Sequence, residues 1–528
     1  MIELLRTRRL RRTPAPFALL IPPLLIFAAM IIPLVYLLVR TVEADPQLLW
    51  ELVVRPRTAQ LLLNTLLLTV YVLIISTAMG LPMAWITVRT TIPGRKIITL
   101  LAVAPLAVPG YVMAHSLLSL GGASGLMAAI GFPVPRPSGL HGAAWALSLY
   151  AYPYIFLNTR AALLSLDPGT EESARSLGYP PGAVFLRVIL PLIAPGLVAG
   201  WVIVALYTLG DFGAVALMRY QVFSFAIYTQ YTAAFDRTYA AALALMLILL
   251  TLVPLFLEAR YLRHRHIARV GSGVARKKRL APLGWWSVPV WVFLFFVIGS
   301  SVGLPVITLL YWMGLQSPLP QLGRLVTYFG NSIAAALPAA VLAVLLVTPV
   351  AYLRTRFPSP LSRLAERSVF VGYAIPPLAL ALAMVFFSLR VVPRLYQTLF
   401  LLVVTYSLNF LALALGPIRS SLMMAPRKLE DAARSLGYGA LPAFIRTILP
   451  ILRRGIIASV TLVFVMAMKE LPMAFLLAPT GFTTLSVAVF SRTSEGMLAE
   501  AAPYAAAIVV LSSMFVGLLV RYEGQEFS

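Results

Sequence analysis

Asp211, Lys469 and Glu470 are the ionisable residues nearest the interior of long apolar runs. A charge in such a run is costly to bury and marks a pathway, a pair or a backbone contact. Asp211 and Glu470 stand at equivalent places in the repeat described below. One reading has them line a pore or gate as a candidate translocation pathway and meet a cationic cargo. The other has them satisfy backbone at helix ends, with Glu470 paired to Lys469. His115, in or near an apolar run, reads as a buried polar contact before it reads as a metal ligand. His264 and His266 flank Arg265, whose charge opposes a metal ion. With no cysteine, neither a thiolate metal site nor a disulfide framework is expected. A phosphate-binding loop needs glycine-rich backbone followed by Lys and Ser or Thr. None of Lys96, Lys277, Lys278, Lys428 and Lys469 has that context. No residue group reads as an enzyme centre, and the chain is expected to bind no cofactor itself.

A second pattern points to recognition. Glu172-Ser173-Ala174-Arg175-Ser176-Leu177-Gly178-Tyr179 returns as Asp431-Ala432-Ala433-Arg434-Ser435-Leu436-Gly437-Tyr438. Each copy runs on to a Leu-Pro, at Leu190-Pro191 and Leu449-Pro450. Each reads as a short helix, a glycine break and a second helix. Asp167 or Thr170 can cap the first of these helices. Gly178 and Gly437 can adopt positive φ and end the short helix, and Pro191 and Pro450 mark entry to the next apolar run. On the corner so formed, Ala174, Ala432 and Ala433 permit close approach of another protein. Glu171, Glu172, Glu430 and Asp431 offer acceptors to its basic groups. An amphipathic connector packed on its own bundle is the plainer reading of one such loop. Two near-identical copies argue for a docking surface.

The elements that must position these residues are membrane helices. The 528 residues are 60% hydrophobic and only 11% charged, whereas soluble domains carry about 25% charged residues. Apolar runs of about 20 residues recur, each able to cross about 30 Å of hydrocarbon. The ten-residue alternation of barrel strands is absent. Approximate spans are 17–39, 61–88, 98–120, 141–163, 192–216, 239–258, 284–314, 330–353, 368–390, 397–417, 455–478 and 503–520. The formal charge of +24 sits mostly at the ends of these runs, which argues for topology rather than nucleic-acid binding. Arg6 to Arg12 precede the first run, and the basic loops alternate with the spans. Both repeated loops and both termini are therefore expected in the cytoplasm. Tyr150, Tyr152 and Tyr154 read as an interfacial aromatic belt. Asn64 and Asn331 read as helix caps where spans open.

The repeat extends beyond the loops. Asn64, Pro82 and Pro109 recur in register as Asn331, Pro349 and Pro376; Arg160, Gly178, Pro191 and Asp211 recur as Arg419, Gly437, Pro450 and Glu470. Two six-helix halves, 1–258 and 282–528, would share one orientation and form a parallel repeat. The basic stretch 259–281 joins them as a cytoplasmic linker and topology anchor.

At the loop residues the chain resembles the membrane subunits of bacterial ABC importers. Their signature is Glu-Ala-Ala, three residues, Gly, nine residues, Ile, one residue, Leu-Pro. The copies here read Glu172-Ser173-Ala174, Gly178, Val188, Leu190-Pro191 and Asp431-Ala432-Ala433, Gly437, Thr447, Leu449-Pro450. Ser173, Val188, Asp431 and Thr447 depart from the signature, and Asp431 keeps the charge on a shorter arm. The segments Leu209-Gly210-Asp211-Phe212-Gly213-Ala214 and Lys469-Glu470-Leu471-Pro472-Met473-Ala474 are similar to paired motifs of fused, two-unit ferric-iron permeases. The match runs on through Pro479 to Leu485. The resemblance implies an all-α integral membrane protein, about 12 transmembrane helices as two parallel six-helix repeats of the type I importer permease. It implies docking of the loops on two copies of a separate ABC ATPase that carries ATP and magnesium. A soluble binding protein would deliver ferric iron, or thiamine or another small cargo, to a multi-pass permease in the bacterial inner membrane. An ion-gradient-driven secondary transporter with parallel halves is the rival, and a membrane scaffold is a third reading.

Overall fold

The computed structural model describes residues 17–43, 46–233, 238–263, 280–315 and 322–524. Arg6 to Arg12, His264, His266 and most of the basic linker lie outside the described residues. Within them the regular secondary structure is helical, apart from one isolated parallel bridge between Thr90 and Ala281. Among the described residues, nine helices are long and apolar enough to cross a membrane, or up to 11 if each of two bent pairs counts as one span. The expected span 141–163 is the 27-residue helix Gly139–Ser165, whose small and polar residues keep it below that apolar threshold. It packs instead between Pro56–Arg89 and Leu190–Gly210 inside its own unit.

Two expected straight spans are sharply broken. Arg95–Ala107 meets Gly110–Leu118 at 94°, and Pro360–Ala374 meets Pro377–Val391 at 101°. The cause is local: a residue before proline is driven out of the α region. Val108, before Pro109, has φ −95° and ψ 115°, and Ile375, before Pro376, has φ −91° and ψ 128°.

The helices form two compact units whose boundaries differ from those of the sequence repeat. One comprises Met1–Glu43 with Thr327–Thr484; the other comprises Ala44–Val326 with Leu485–Ser528. In the first, Ile21–Val42 packs on Pro360–Ala374 and Pro377–Val391, while Leu399–Met424 packs on Leu449–Met468. In the second, Leu498–Gly524 packs on Leu304–Leu315 and Leu485–Ser494. Bilayer lipid is as apolar as leucine, so close backbone approach rather than hydrophobic exclusion holds such helices together. Gly196 and Gly455, in register in the two halves, show this. A Cβ on Gly196 would lie 2.9 Å from the Asn158 carbonyl oxygen, and one on Gly455 2.7 Å from that of Pro417.

Several polar residues sit differently from the sequence expectation. Tyr152 is fully buried, with its hydroxyl 3.3 Å from Ser301 Oγ, and Tyr150 is also buried. Tyr154 stacks on Tyr207 with ring centroids 4.9 Å apart, and Tyr150 meets the same ring edge-on. These tyrosines are core packing, not an interfacial belt; three on one helix can face a neighbouring helix as readily as a headgroup. Asn64 and Asn331 cap nothing, since their helices begin earlier, at Pro56 and Leu322. Their amides donate to the Gln221 carbonyl at 2.8 Å and the Thr483 carbonyl at 3.0 Å, tying a loop to a helix flank within each unit.

Candidate functional site

Both repeated loops fold by the same local rules. In the first, Asp167 caps the helix Pro168–Ser176, its carboxylate accepting from Gly169 N at 3.1 Å. Proline at the first helical position loses nothing, because that N–H has no intrahelical partner. The second loop helix, Arg427–Ser435, follows Pro426 and has no side-chain cap. Each helix ends on its glycine: φ is +86° at Gly178 and +87° at Gly437. Gly178 N donates to Arg175 O at 2.9 Å and Tyr179 N to Ala174 O at 3.3 Å; Gly437 N and Tyr438 N repeat this with Arg434 O and Ala433 O. This paired pattern closes a helix end by giving two of its last carbonyls a donor.

The next helix does not start at the Leu-Pro. It starts at Pro181 and at Ala440, and runs through Leu190-Pro191 and Leu449-Pro450 by way of one wide turn. Phe185–Ile189 and Phe444–Ile448 are π-helical, with Leu190 N donating to Phe185 O and Leu449 N to Phe444 O. Proline supplies no N–H and its ring crowds the preceding turn, and a π turn relieves both problems.

The inward face of each loop helix is an anchor. Glu171 accepts from Arg89 Nη1 at 3.0 Å and Arg175 Nη2 at 2.8 Å. Glu430 lies 3.4 Å from Arg356 Nε and accepts from the Tyr352 hydroxyl at 3.4 Å. Side-chain exposure is 8% for Arg89, 15% for Glu171, 7% for Arg356 and 13% for Glu430, so these pairs are weakly screened. Arg89 and Arg356 are the last residues of the long helices Pro56–Arg89 and Leu322–Arg356. Each pair therefore fastens a loop helix to the end of a long apolar helix. Aromatic contacts duplicate the fastening: Trp85 meets Phe185 edge-on at 5.2 Å and 88°, and Tyr352 meets Phe444 at 5.4 Å and 89°. Arg187 lies over Tyr179 at 6.0 Å and Arg446 over Tyr438 at 4.5 Å.

The structure thus divides the expected loop surface. Glu171 and Glu430 are engaged internally and are not free acceptors. Ala174 and Ala433 are buried, because on a nine-residue helix they fall on the anchored side; Ala432 stays exposed. Glu172 and Asp431 are exposed, together with Leu177 at 78% and Leu436 at 79%. The exposed leucines had no role in the sequence reading, although their identity in both copies was the available signal. The anchoring arginines were missed because they read as topology charges.

Asp211 and Glu470 sit at equivalent breaks, one in each unit. The Asp211 carboxylate accepts from Ala214 N at 2.9 Å and Val215 N at 3.3 Å, and Ser224 Oγ donates to its carbonyl at 2.6 Å. Glu470 Oε1 accepts from Met473 N at 3.2 Å. Each carboxylate stands one residue before the N-cap, Phe212 or Leu471, and binds first-turn N–H groups of a short helix, Gly213–Leu217 or Pro472–Leu477. Lys469 is the C-cap of Leu449–Met468. His115 is fully buried with Nδ1 3.0 Å from Thr493 Oγ1, the polar contact expected of it.

Comparison with known proteins agrees with this geometry. Residues 63–265 and 349–522 match the family described as binding-protein-dependent transport system inner membrane component. The two matched stretches contain the two loops. The Fe(3+)-transport system permease protein FbpB 2 of Haemophilus influenzae is 31% identical over 517 residues, 97% of this chain and 99% of its own. The sulfate transport system permease protein CysT of Escherichia coli is 29% identical over 47% of this chain and 92% of its own. The molybdenum transport system permease protein ModB of Escherichia coli is 31% identical over 29% of this chain and 69% of its own.

Proposed function

Since the chain belongs to the family of binding-protein-dependent transport system inner membrane components, we propose that its two loop helices are the docking points for two copies of a separate ABC ATPase. The protein is a multi-pass inner-membrane permease of an ABC importer, and its work is transport rather than catalysis. ATP and magnesium belong to the partner. Our reading has a soluble binding protein deliver ferric iron on the opposite side. The near full-length similarity to an Fe(3+)-transport permease supports that cargo over sulfate or molybdenum, whose namesakes align with half of the chain or less. The loops and both termini face the cytoplasm, as the distribution of Lys and Arg supports.

The observation that carries this reading is the duplicated anchor. An ATPase subunit would press on the exposed side of a loop helix, at Glu172 and Leu177 or Asp431 and Leu436. Glu171–Arg89 and Glu430–Arg356 would pass that displacement to the ends of Pro56–Arg89 and Leu322–Arg356. A buried pair resists separation because parting it leaves an uncompensated charge. The carboxylates Asp211 and Glu470 serve the pathway, on this reading, by holding the short helices that follow them.

Replacing Gly178 and Gly437 together by proline tests the docking role. Proline cannot reach positive φ and lacks the N–H that closes each helix. The variant is expected to insert in the membrane and lose ATPase association and ferric-iron uptake. Association and uptake at the parental level would refute it.

A further inference from the structure

We propose that Arg160, together with Arg95, forms a binding site for a phosphate group at the loop end of the helix Gly139–Ser165. The argument comes from a carboxylate that one half has and the other lacks. In the unit containing Thr327–Thr484, Glu366 is only 9% exposed and accepts from Arg354 Nε at 2.8 Å and Arg419 Nη1 at 2.6 Å. It joins three helices, Leu322–Arg356, Pro360–Ala374 and Leu399–Met424.

In the other unit the register places Arg160 at the position of Arg419, Thr99 at that of Glu366 and Thr87 at that of Arg354. The cation is retained and its counter-charge is gone. Neither threonine compensates. Thr99 Oγ1 donates to Arg95 O at 2.8 Å, and Thr87 Oγ1 to Met83 O at 2.8 Å, so each serves its own helix. Arg160 Nε is buried without a hydrogen-bond partner, and no carboxylate among the described residues pairs with Arg160. The helix Arg95–Val103 packs on Gly139–Ser165 and brings a second cation to this end of it, Arg95, whose Nη2 donates to Thr90 O at 3.2 Å. The acids nearest in sequence are engaged elsewhere: Asp167 accepts from Gly169 N at 3.1 Å, and Glu171 is held by Arg89 and Arg175.

A helix C-terminus offers a guanidinium some negative potential. That cannot be the whole account, because Arg419 occupies the equivalent helix end and still has its carboxylate. An uncompensated, part-buried guanidinium beside a second one calls for an anion with several acceptor oxygens. Phosphate matches the planar fork of arginine and can bridge two of them. The site lies where an apolar helix meets a polar loop, the level at which basic pockets take phospholipid headgroups. A lipid phosphodiester and free inorganic phosphate share this chemistry.

The test uses the full chain reconstituted in phosphatidylcholine nanodiscs. Phosphatidylglycerol and inorganic phosphate are titrated separately, following retained lipid by native mass spectrometry and bound phosphate by phosphorus NMR. Thr99→Glu rebuilds the counter-charge of the other half, and Arg160→Gln removes the cation. Wild type is expected to bind one of the two probes at least about tenfold more tightly than either variant, the loss of a charge-assisted bond. Arg419→Gln should leave that binding unchanged. Saturation by phosphatidylglycerol alone identifies a lipid, and saturation by phosphate alone a free anion; both support the site. Equal binding of both probes by wild type and Thr99→Glu overturns it. Thr99→Glu decides the matter if Arg160→Gln fails to fold, since it adds a partner instead of removing one.

Discussion

The first loop helix, Pro168–Ser176, and the second, Arg427–Ser435, share their anchors and differ in almost everything around them. Each has an arginine from a long helix against an inward glutamate, an edge-on aromatic pair beneath, and a glycine near φ +86° at its end. Yet the first begins on an Asp167 cap, while the second begins on Pro426 with Arg427 and Lys428 in its first turn. Arg427 is drawn back onto the Thr355 and Arg356 carbonyls. Behind the second loop, Glu366 gathers two arginines; behind the first, Thr99 leaves Arg160 without one. The difference shows which parts of the repeat are tied to position and which are free to vary. A loop that passes on a displacement needs a fixed attachment to its helix, and that attachment is what both halves hold in common. Capping and surface charge only tune how firmly the loop is folded.

The sharpest way to break this equivalence is to remove one anchor at a time. Glu171→Gln leaves Arg89 buried with no counter-charge, a loss of about 3–5 kcal/mol for a broken buried pair. Glu430→Gln does the same to Arg356, but from a longer contact of 3.4 Å. Both are expected to lower the thermal midpoint and to reduce uptake severely, Glu171→Gln the more so. Exchanging the charges, Arg89→Glu with Glu171→Arg, should recover part of the loss. If one of the two glutamates proves dispensable for uptake, the anchors are not equivalent and the transmission reading applies to a single loop.

Much of this comparison was legible in the sequence because it is local. The glycine turns, the Asp167 cap and the apolar runs follow from residues within one helix turn or one span. The anchors were not legible. Arg89 and Glu171 are far apart in the chain, and an arginine at the end of an apolar run already has a sufficient explanation in topology. The inward facing of Ala174 and Ala433 also escaped, because a small residue on an exposed corner reads equally well as a place for close approach of a partner. Tyr152 and Tyr154 were assigned to the interface because tyrosine suits both a headgroup layer and a polar contact in a core. Pro109 and Pro376 were seen in register, but proline alone does not say whether a helix kinks or turns through a right angle.

The glycine ends sharpen the comparison at a smaller scale. A Cβ at Gly178 or Gly437 meets nothing within 4 Å, so alanine there introduces backbone strain without a clash. That strain is about 1–2 kcal/mol in the left-handed region. Gly178→Ala and Gly437→Ala should lower the protection of their loop helices in hydrogen exchange to a similar extent, with asparagine milder than alanine at both. A clear excess at one glycine would mean that the loops are not held equally, whatever their anchors look like.

The smallest effect concerns the charge that differs between the loops. Lys428 lies in the first turn of Arg427–Ser435, where the helix presents its positive end, and it is exposed. The first loop has uncharged Gly169 at that place in register. Lys428→Glu should therefore stabilise the second loop helix by about 0.3–1 kcal/mol at low salt. Hydrogen exchange across Arg427–Ser435 should slow to match, and the gain should fade as the Debye length shortens toward about 3 Å at 1 M salt. A gain that survives high salt would point to a specific contact of the new carboxylate. A loss would mean that Lys428 already serves this end of the helix, and the second loop would then be folded by a different balance of forces from the first.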